Sequence, residues 1–343
     1  MIRRLTALLL ALTLSACAAP YIQPPLTPPV GFTGPRIEDA PVGRMGGFVV
    51  QDGARLPYRL WAPASGEPWA VIVGLHGMND HSASFRLAGP YWAQRGVATY
   101  AYDQRGFGAA PGYGVWAGEA VMTEDLRTVV ALVRARHPNA VIAVVGESMG
   151  GSVAIAAFGS DRPPDADRLV LLAPGVWGWS SQGVANRAGL WVAARALGAR
   201  AIEPPRWAVR DIRPSDNVLE LIRNGRDPRS ILATRFDTLS GLVDLMESAT
   251  IRLGRIQAPT LLMYGADDQI IEKRPMRRAL ERAGERPGLR TAWYADGHHL
   301  LNRDLGAETV YRDVEAWLRD AAAPLPSGAL PVLPALKADP KTR

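Results

Sequence analysis

The chain has 343 residues, longer than most single cores, so length alone predicts one large domain or two. Hydrophobic residues make up 48% and charged residues 21%, an ordinary globular composition that argues against a disordered or fibrous chain. The formal charge of +6 comes almost wholly from arginine, but the arginines are scattered and no basic block is interleaved with stacking aromatics, which argues against a nucleic-acid partner.

The first twenty residues differ from the rest. Arg3 and Arg4 precede an apolar run over 5–14, of signal-peptide length but short of the ~20 apolar residues that a transmembrane helix needs. The run ends in Leu14-Ser15-Ala16-Cys17, which resembles a bacterial lipobox: small residues admit the lipoprotein peptidase and the cysteine thiol is acylated. Cys17 is the only cysteine, so it has no partner for an internal disulfide. Residues 1–17 are therefore expected to be a lipoprotein signal peptide with its lipobox, and the membrane a partner through lipidated Cys17. Stable attachment needs more than one acyl chain, and a lipoprotein cysteine carries more than one. Ala18 and Ala19, where retention at the inner membrane would use an acidic residue, point to an envelope protein anchored in the outer membrane and facing the periplasm. Residues 18–45 are Pro-rich and read as a semi-extended tether; residues 323–343 are similarly Pro-rich and read as a poorly ordered tail.

Between these ends, short apolar runs alternate with helical stretches. Strands are predicted over 48–50, 58–61, 70–75, 98–102, 141–145, 169–172, 261–264 and 291–294. Helices are predicted over 83–95, 120–136, 149–158, 273–283 and 307–322. Such alternation predicts an α/β fold, with a mostly parallel sheet covered on both faces. Residues 175–256 break the pattern, with amphipathic segments at 189–197 and 217–222 and four tryptophans, Trp177, Trp179, Trp191 and Trp207. They are expected to form a helical cap inserted between two parts of the core, 46–174 and 257–322, and to act as a lid lining a substrate pocket.

Gly146-Glu147-Ser148-Met149-Gly150 follows the 141–145 strand and opens a helix of small residues. This is G-x-S-x-G in its strand–turn–helix setting, the elbow of an α/β-hydrolase fold with Ser148 as nucleophile. The glycines are needed because a side chain at either position would strike the neighbouring strand or helix. A serine hydroxyl is a weak nucleophile unless a base takes its proton and a carboxylate orients that base. In this fold the acid and the histidine follow the serine in that order. Asp267-Asp268 comes after the 261–264 strand and His298-His299 after the 291–294 strand, both at carboxyl ends where such sheets place their sites.

Residues from about 48 to 320 resemble the monoacylglycerol lipase and lysophospholipase branch of the α/β-hydrolases, also described as serine aminopeptidase-like hydrolases. The resemblance lies in the runs 76–82 (HGMNDHS), 103–108 (DQRGFG), 146–151 (GESMGG), 224–228 (NGRDP), 265–268 (GADD) and 297–299 (GHH). Its spacing implies Asp268 rather than Asp267 as the acid and His299 rather than His298 as the base. It also implies an oxyanion hole from the backbone amides of Met78 and Met149, each such donor being worth about 3–4 kcal/mol in the transition state. The sequence departs from the family after Gly108, where Ala109-Ala110 replace the usual serine and put one loop contact in doubt.

The remaining candidates have structural readings. His76 is expected to brace the oxyanion loop, His81 to make a local hydrogen bond and Arg105 to tie down its loop; His137 sits before Pro138 at a helix end. Glu147 is read as structural. No histidine shows metal-ligand spacing, no glycine pattern suits a phosphate or dinucleotide, and the proposed chemistry needs no cofactor. The expected activity is hydrolysis of acyl-lipid esters, a monoacylglycerol or lysophospholipid, through an acyl-enzyme on Ser148. Rivals are an aminopeptidase-like amidase, for which Glu203, Asp211, Asp216 and Glu220 would supply an amine-binding patch, a thioesterase, and a non-catalytic lipid-binding lipoprotein. Chemistry with an Asp nucleophile is disfavoured, because Ser148 stands at the elbow.

Overall fold

The computed structural model describes residues 19–41 and 43–339, so Cys17 and the expected signal peptide lie outside the described residues. Among the described residues, nine strands form one sheet. They are β1 (Arg36–Glu38), β2 (Gly46–Val49), β3 (Arg55–Trp61), β4 (Ala70–Leu75), β5 (Val97–Tyr102), β6 (Val141–Glu147), β7 (Arg168–Leu172), β10 (Thr260–Gly265) and β11 (Leu289–Tyr294). Their spatial order is β1-β2-β3-β5-β4-β6-β7-β10-β11. The first three are antiparallel to their neighbours and the rest run parallel from β5 onward.

The parallel strands are apolar on both faces because helices cover both. Along β4, Val71, Val73 and Leu75 enter one core while Ala70 and Ile72 enter the other, the alternation that a strand imposes. Helices α1 (Ala88–Ala93) and α8 (Ala307–Arg319) close one face, where the Trp92 indole donates to the Tyr311 carbonyl at 3.1 Å. On the other face lie α2 (Glu119–Arg136), α3 (Met149–Phe158), α6 (Phe236–Arg252) and α7 (Lys273–Ala283). The small residues of α3 let it lie close to the strands, as its burial along the whole length shows.

Residues between β7 and α6 leave the sheet. They form α4 (Val184–Ala196), a two-residue antiparallel ribbon of β8 (Ala201–Ile202) with β9 (Thr234–Arg235), and α5 (Val218–Arg226). Trp177 packs against the core and Trp179 donates to Asp244 at 2.6 Å, while Trp191 and Trp207 are exposed.

Three expectations change. The helix predicted over 83–95 is a 3-10 turn, Ser82–Phe85, followed by the short α1. Pro90 has no N–H to bond the Arg86 carbonyl, so a helix begun at 83 cannot run through it. The tether is not free: β1 pairs with β2, and the Gln23 and Leu26 amides donate to the Trp116 carbonyl and to Asp52, each at 2.7 Å. Nor is the whole tail loose. Leu330 bridges to Trp293, and α9 (Val332–Ala338) buries Val332 and Leu336 against the core. Prolines in both segments stiffen chain that is already apolar enough to dock.

Candidate active site

Ser148 stands between β6 and α3 at φ +51°, ψ −116°, a conformation L-residues rarely adopt. The elbow is held by its own backbone: the Ser148 amide donates to the Leu172 carbonyl at 3.0 Å, and its carbonyl accepts from Ser152 and Gly175. A Cβ on Gly146 would stand 2.6 Å from the Gly150 carbonyl oxygen, and one on Gly150 would stand 2.7 Å from the His76 carbonyl oxygen. The neighbours are backbone and cannot move aside, which is why both positions are glycine.

His299 and Asp268 are both buried, and His299 Nδ1 lies 2.9 Å from Asp268 Oδ2. The other carboxylate oxygen accepts from the Ile270 and Ile271 amides at 2.8 and 2.9 Å, so Asp268 is fixed before it orients the imidazole. Burial alone would depress the His299 pKa; the charge and hydrogen bond of Asp268, with Glu147 beyond, outweigh it and raise the pKa above the ordinary imidazole value. The neighbouring alternatives part company here. Asp267 is exposed, and His298 turns toward Asp304, its amide donating to that carboxylate at 2.8 Å.

The loop after β4 carries Met78, the residue whose amide is expected to be an oxyanion donor. His76 is buried; its Nδ1 faces the Gly77 carbonyl at 2.8 Å and its Nε2 accepts from the Gln104 amide at 3.0 Å, while burial lowers its pKa and keeps it neutral. Gly77 lies so close that a Cβ on it would be 3.3 Å from the Ser148 Cβ, which places the Met78 amide beside the elbow. Met149 is the first residue of α3, where a helix leaves its amides without intrahelical partners. Beyond Met78 the chain turns through Asn79 at φ +63° and is held by Asp103, which accepts from the Ser82 and Ala109 amides, each at 2.8 Å. Ala109, which stands where the family has a serine, thus binds Asp103 through its backbone amide. Arg105 ties its own loop down, pairing with Asp52 and Asp125.

One group escaped the sequence reading. Arg303, four residues past His299, is buried and pairs with Asp80 at 2.7 Å and with Glu147 at 2.5 Å. One guanidinium therefore joins the oxyanion loop, the elbow and the histidine loop. The only signal was an arginine in an apolar stretch after the histidine motif, which chain spacing cannot connect to Glu147, 156 positions earlier.

The cap is stitched to the same loops. His81 Nε2 lies 3.1 Å from Asp227, and the Asn79 side chain donates to Thr234 at 2.7 Å. Residues 214–217 bind the histidine loop: the Leu300 amide donates to the Pro214 carbonyl, Ser215 to Asp304 and Asn217 to the Arg303 carbonyl. Asp216, His298 and Asp304 lie close enough to hold a cation, yet each Asp already accepts hydrogen bonds from the protein.

Comparison with known proteins places the family and the fold. The profile of the serine aminopeptidase S33 family matches residues 66–306. A monoacylglycerol lipase of Mycolicibacterium smegmatis is 28% identical over 79% of this chain and 95% of its own length. The monoglyceride lipase of Homo sapiens is 24% identical over 80% of this chain and 90% of its own. Among solved structures, the monoacylglycerol lipase of Paleococcus ferrophilus matches with a TM-score of 0.61 at 21% identity, over 77% of this chain and 98% of that one. A soluble variant of the Saccharomyces cerevisiae monoglyceride lipase matches with a TM-score of 0.64 at 18% identity, over 86% and 98%. The chain belongs to the serine aminopeptidase S33 family and is a carboxylic ester hydrolase of the α/β-hydrolase fold.

Proposed function

We propose that the protein hydrolyses monoacyl lipids, a monoacylglycerol or a lysophospholipid, through an acyl-enzyme on Ser148, working at the envelope membrane to which acylated Cys17 anchors it. The observation that carries the reading is the buried His299–Asp268 pair on a loop bound, through Arg303 and Glu147, to the elbow of Ser148. With Nδ1 donating to Asp268, His299 keeps Nε2 as the base. It takes the Ser148 proton as Oγ bonds to the ester carbon, and the Met78 and Met149 amides receive the oxyanion. The ester C–O bond then breaks, and His299 returns the proton to the departing alcohol. Water, deprotonated by His299, attacks the acyl carbon, and Ser148 leaves with the proton restored.

The substrate class is supported by the relatives, which are named as lipases of monoacylglycerols. It is also supported by the fate of the cap acids that an amine substrate would need. Glu220 is buried and paired with Arg86 and Arg223, Asp211 pairs with Arg210, and Asp216 accepts from the Leu305 amide. Arginine thus pairs two of the four acids, Glu220 and Asp211, which weighs against the aminopeptidase-like reading.

The test is a graded panel, from acetyl to long-chain p-nitrophenyl esters with monoolein and a lysophospholipid, on the chain lacking residues 1–17 and on its Ser148→Ala variant. Serine-dependent turnover favouring the monoacyl lipids is the expected result. A folded protein that cleaves only aminoacyl amides, or nothing, would overturn it.

A further inference from the structure

We infer that Ser215 and Asp304 are positioning residues of the ester hydrolysis: Ser215, on an inner strap of the cap, fixes Asp304, and Asp304 braces the loop that presents His299. The inference rests on the reading of His299 as the base.

The acid and base loops leave β10 and β11 at one edge of the sheet, while the oxyanion loop leaves β4, four places from β11 in the strand order. At about 4.8 Å per place, β4 and β11 stand about 19 Å apart, so loops that must meet over one serine need a tie of their own. The cap supplies it, because each of the residues 213–217 bonds one of the two triad loops. The Arg213 amide donates to Gln269 Oε1 at 2.7 Å, next to Asp268. The Pro214 carbonyl accepts from the Leu300 amide at 2.8 Å, next to His299. Ser215 donates to Asp304 Oδ1 at 2.6 Å, Asp216 accepts from the Leu305 amide at 2.8 Å, and Asn217 donates to the Arg303 carbonyl at 3.0 Å. From Asn217, α5 runs nine residues to Asp227, which faces His81 at 3.1 Å. Just beyond, the Ile231 amide donates to the Asn79 carbonyl at 2.9 Å. Strap and helix together make one strut from the acid and base loops to the oxyanion loop.

Ser215 and Asp304 form the buried centre of that strut, 1% and 6% exposed. The Ser215 hydroxyl accepts from the Asn217 amide at 3.1 Å while it donates to Asp304, so its direction is set from the strap. The second carboxylate oxygen of Asp304 accepts from the His298 amide at 2.8 Å, which closes a ring of residues 298–304 around His299. The Leu300 carbonyl tightens the same turn, accepting from the Arg303 and Asp304 amides at 2.8 and 3.1 Å. Burial pushes the Asp304 carboxyl up, while the Ser215 hydroxyl and the His298 amide pull it down. Without the hydroxyl, one carboxylate oxygen is left bare in a dry site, and that cost drives the ring to rearrange. A base works only within about 2.6–3.2 Å of the proton it takes, so the loss falls on the chemical step and not on substrate binding.

The test is steady-state hydrolysis of p-nitrophenyl acetate, a soluble ester, by Ser215→Ala, Asp304→Asn and the double variant, each below its melting temperature. Each single change should lower kcat by roughly 10²-fold, the usual cost of misplacing a catalytic group by about 1 Å, and leave KM unchanged. The double variant should be no slower than the slower single one, because Ser215 acts through Asp304. The far-downfield proton resonance of His299 Nδ1, identified by its absence in His299→Ala, should shift in Ser215→Ala. Gln269→Ala, at an exposed residue, frees the strap from the acid loop without opening buried space and should lower kcat severalfold. A lower melting temperature with native kcat and a native resonance would make Ser215 a structural residue only and overturn the inference. Losses that multiply in the double variant would overturn it too. If Ser215→Ala does not fold, a native kcat in Gln269→Ala decides against the strap in its place. Ester turnover that survives in His299→Ala would instead sink the reading of His299 as the base.

Discussion

Arg303 Nη2 stands 2.5 Å from Glu147 Oε1, and through this contact the loop that carries His299 is locked to the residue before Ser148. Both groups are buried, and Asp80 completes the arrangement from the oxyanion side at 2.7 Å. Burial pushes the Glu147 carboxyl up despite Arg303, whereas for Asp80 the guanidinium wins against burial and holds the carboxyl low.

Arg303→Met leaves two carboxylates buried without their counter-ion. The loss should be about 3–5 kcal/mol at pH 8, read by urea unfolding. Without the arginine both folded-state carboxyl pKa values lie above their unfolded values, so stability falls as pH rises through the unfolded range. The variant should therefore melt higher at pH 5 than at pH 8, and adding Glu147→Gln should restore part of the loss. A variant equally stable across that range would show that Arg303 does not balance these charges.

His299 must be neutral at Nε2 to act as base, and Asp268 raises its pKa. Activity on a soluble ester should accordingly fall on the acid side with a midpoint above 6.5, the ordinary imidazole value. In Asp268→Asn the orienting charge is gone, and kcat should drop by roughly 10³–10⁴-fold. The pH dependence of kcat/KM for both proteins checks the two expectations together.

A methyl group at residue 150 has nowhere to go, because it meets the Leu75 and His76 carbonyl groups. Gly150→Ala should cost at least about 3 kcal/mol, at the upper end of overpacking effects, or prevent folding altogether. Gly189→Ala, in α4 with open space around it, serves as the control and should leave the melting temperature unchanged or slightly raised. Comparison of the two melting temperatures decides the point.

The parts of the site that could be read from the sequence are those whose chemistry is local. Gly146 and Gly150 flank Ser148 within one turn, and the Asp268 and His299 loops each follow a buried apolar strand, so strand, turn and residue type point the same way. The cap was visible as a break in that alternation, but not the outward direction of Trp191 and Trp207. Periodicity gives a helix face, not what covers it. Arg303 was missed because its partners are distant in sequence and the sheet alone brings them together. The terminal segments were misjudged for a different reason. Proline content marks chain that avoids helix and sheet, and says nothing of whether Gln23 or Leu336 finds a place to dock.

The tail gives a stability prediction of its own. Val332 and Leu336 are fully buried, and Leu330 bridges to the edge strand β11. Leu336→Ala should cost about 2–5 kcal/mol, the usual range for a buried leucine. Removal of residues 323–343 should lower the melting temperature by more than the point substitution. Thermal unfolding of the two variants is the check, and a truncated protein as stable as the full chain would show that α9 adds nothing.

The central claim is that Ser148 is the nucleophile of an ester hydrolase. Its most direct test is reaction with a long-chain alkyl fluorophosphonate, followed by mass analysis of the peptide that contains residue 148. The account predicts one phosphonyl group on Ser148, parallel loss of monoolein hydrolysis, and no labelling in His299→Ala at the same time and dose. Full inhibition with the label elsewhere, or turnover that survives complete labelling of Ser148, would contradict it.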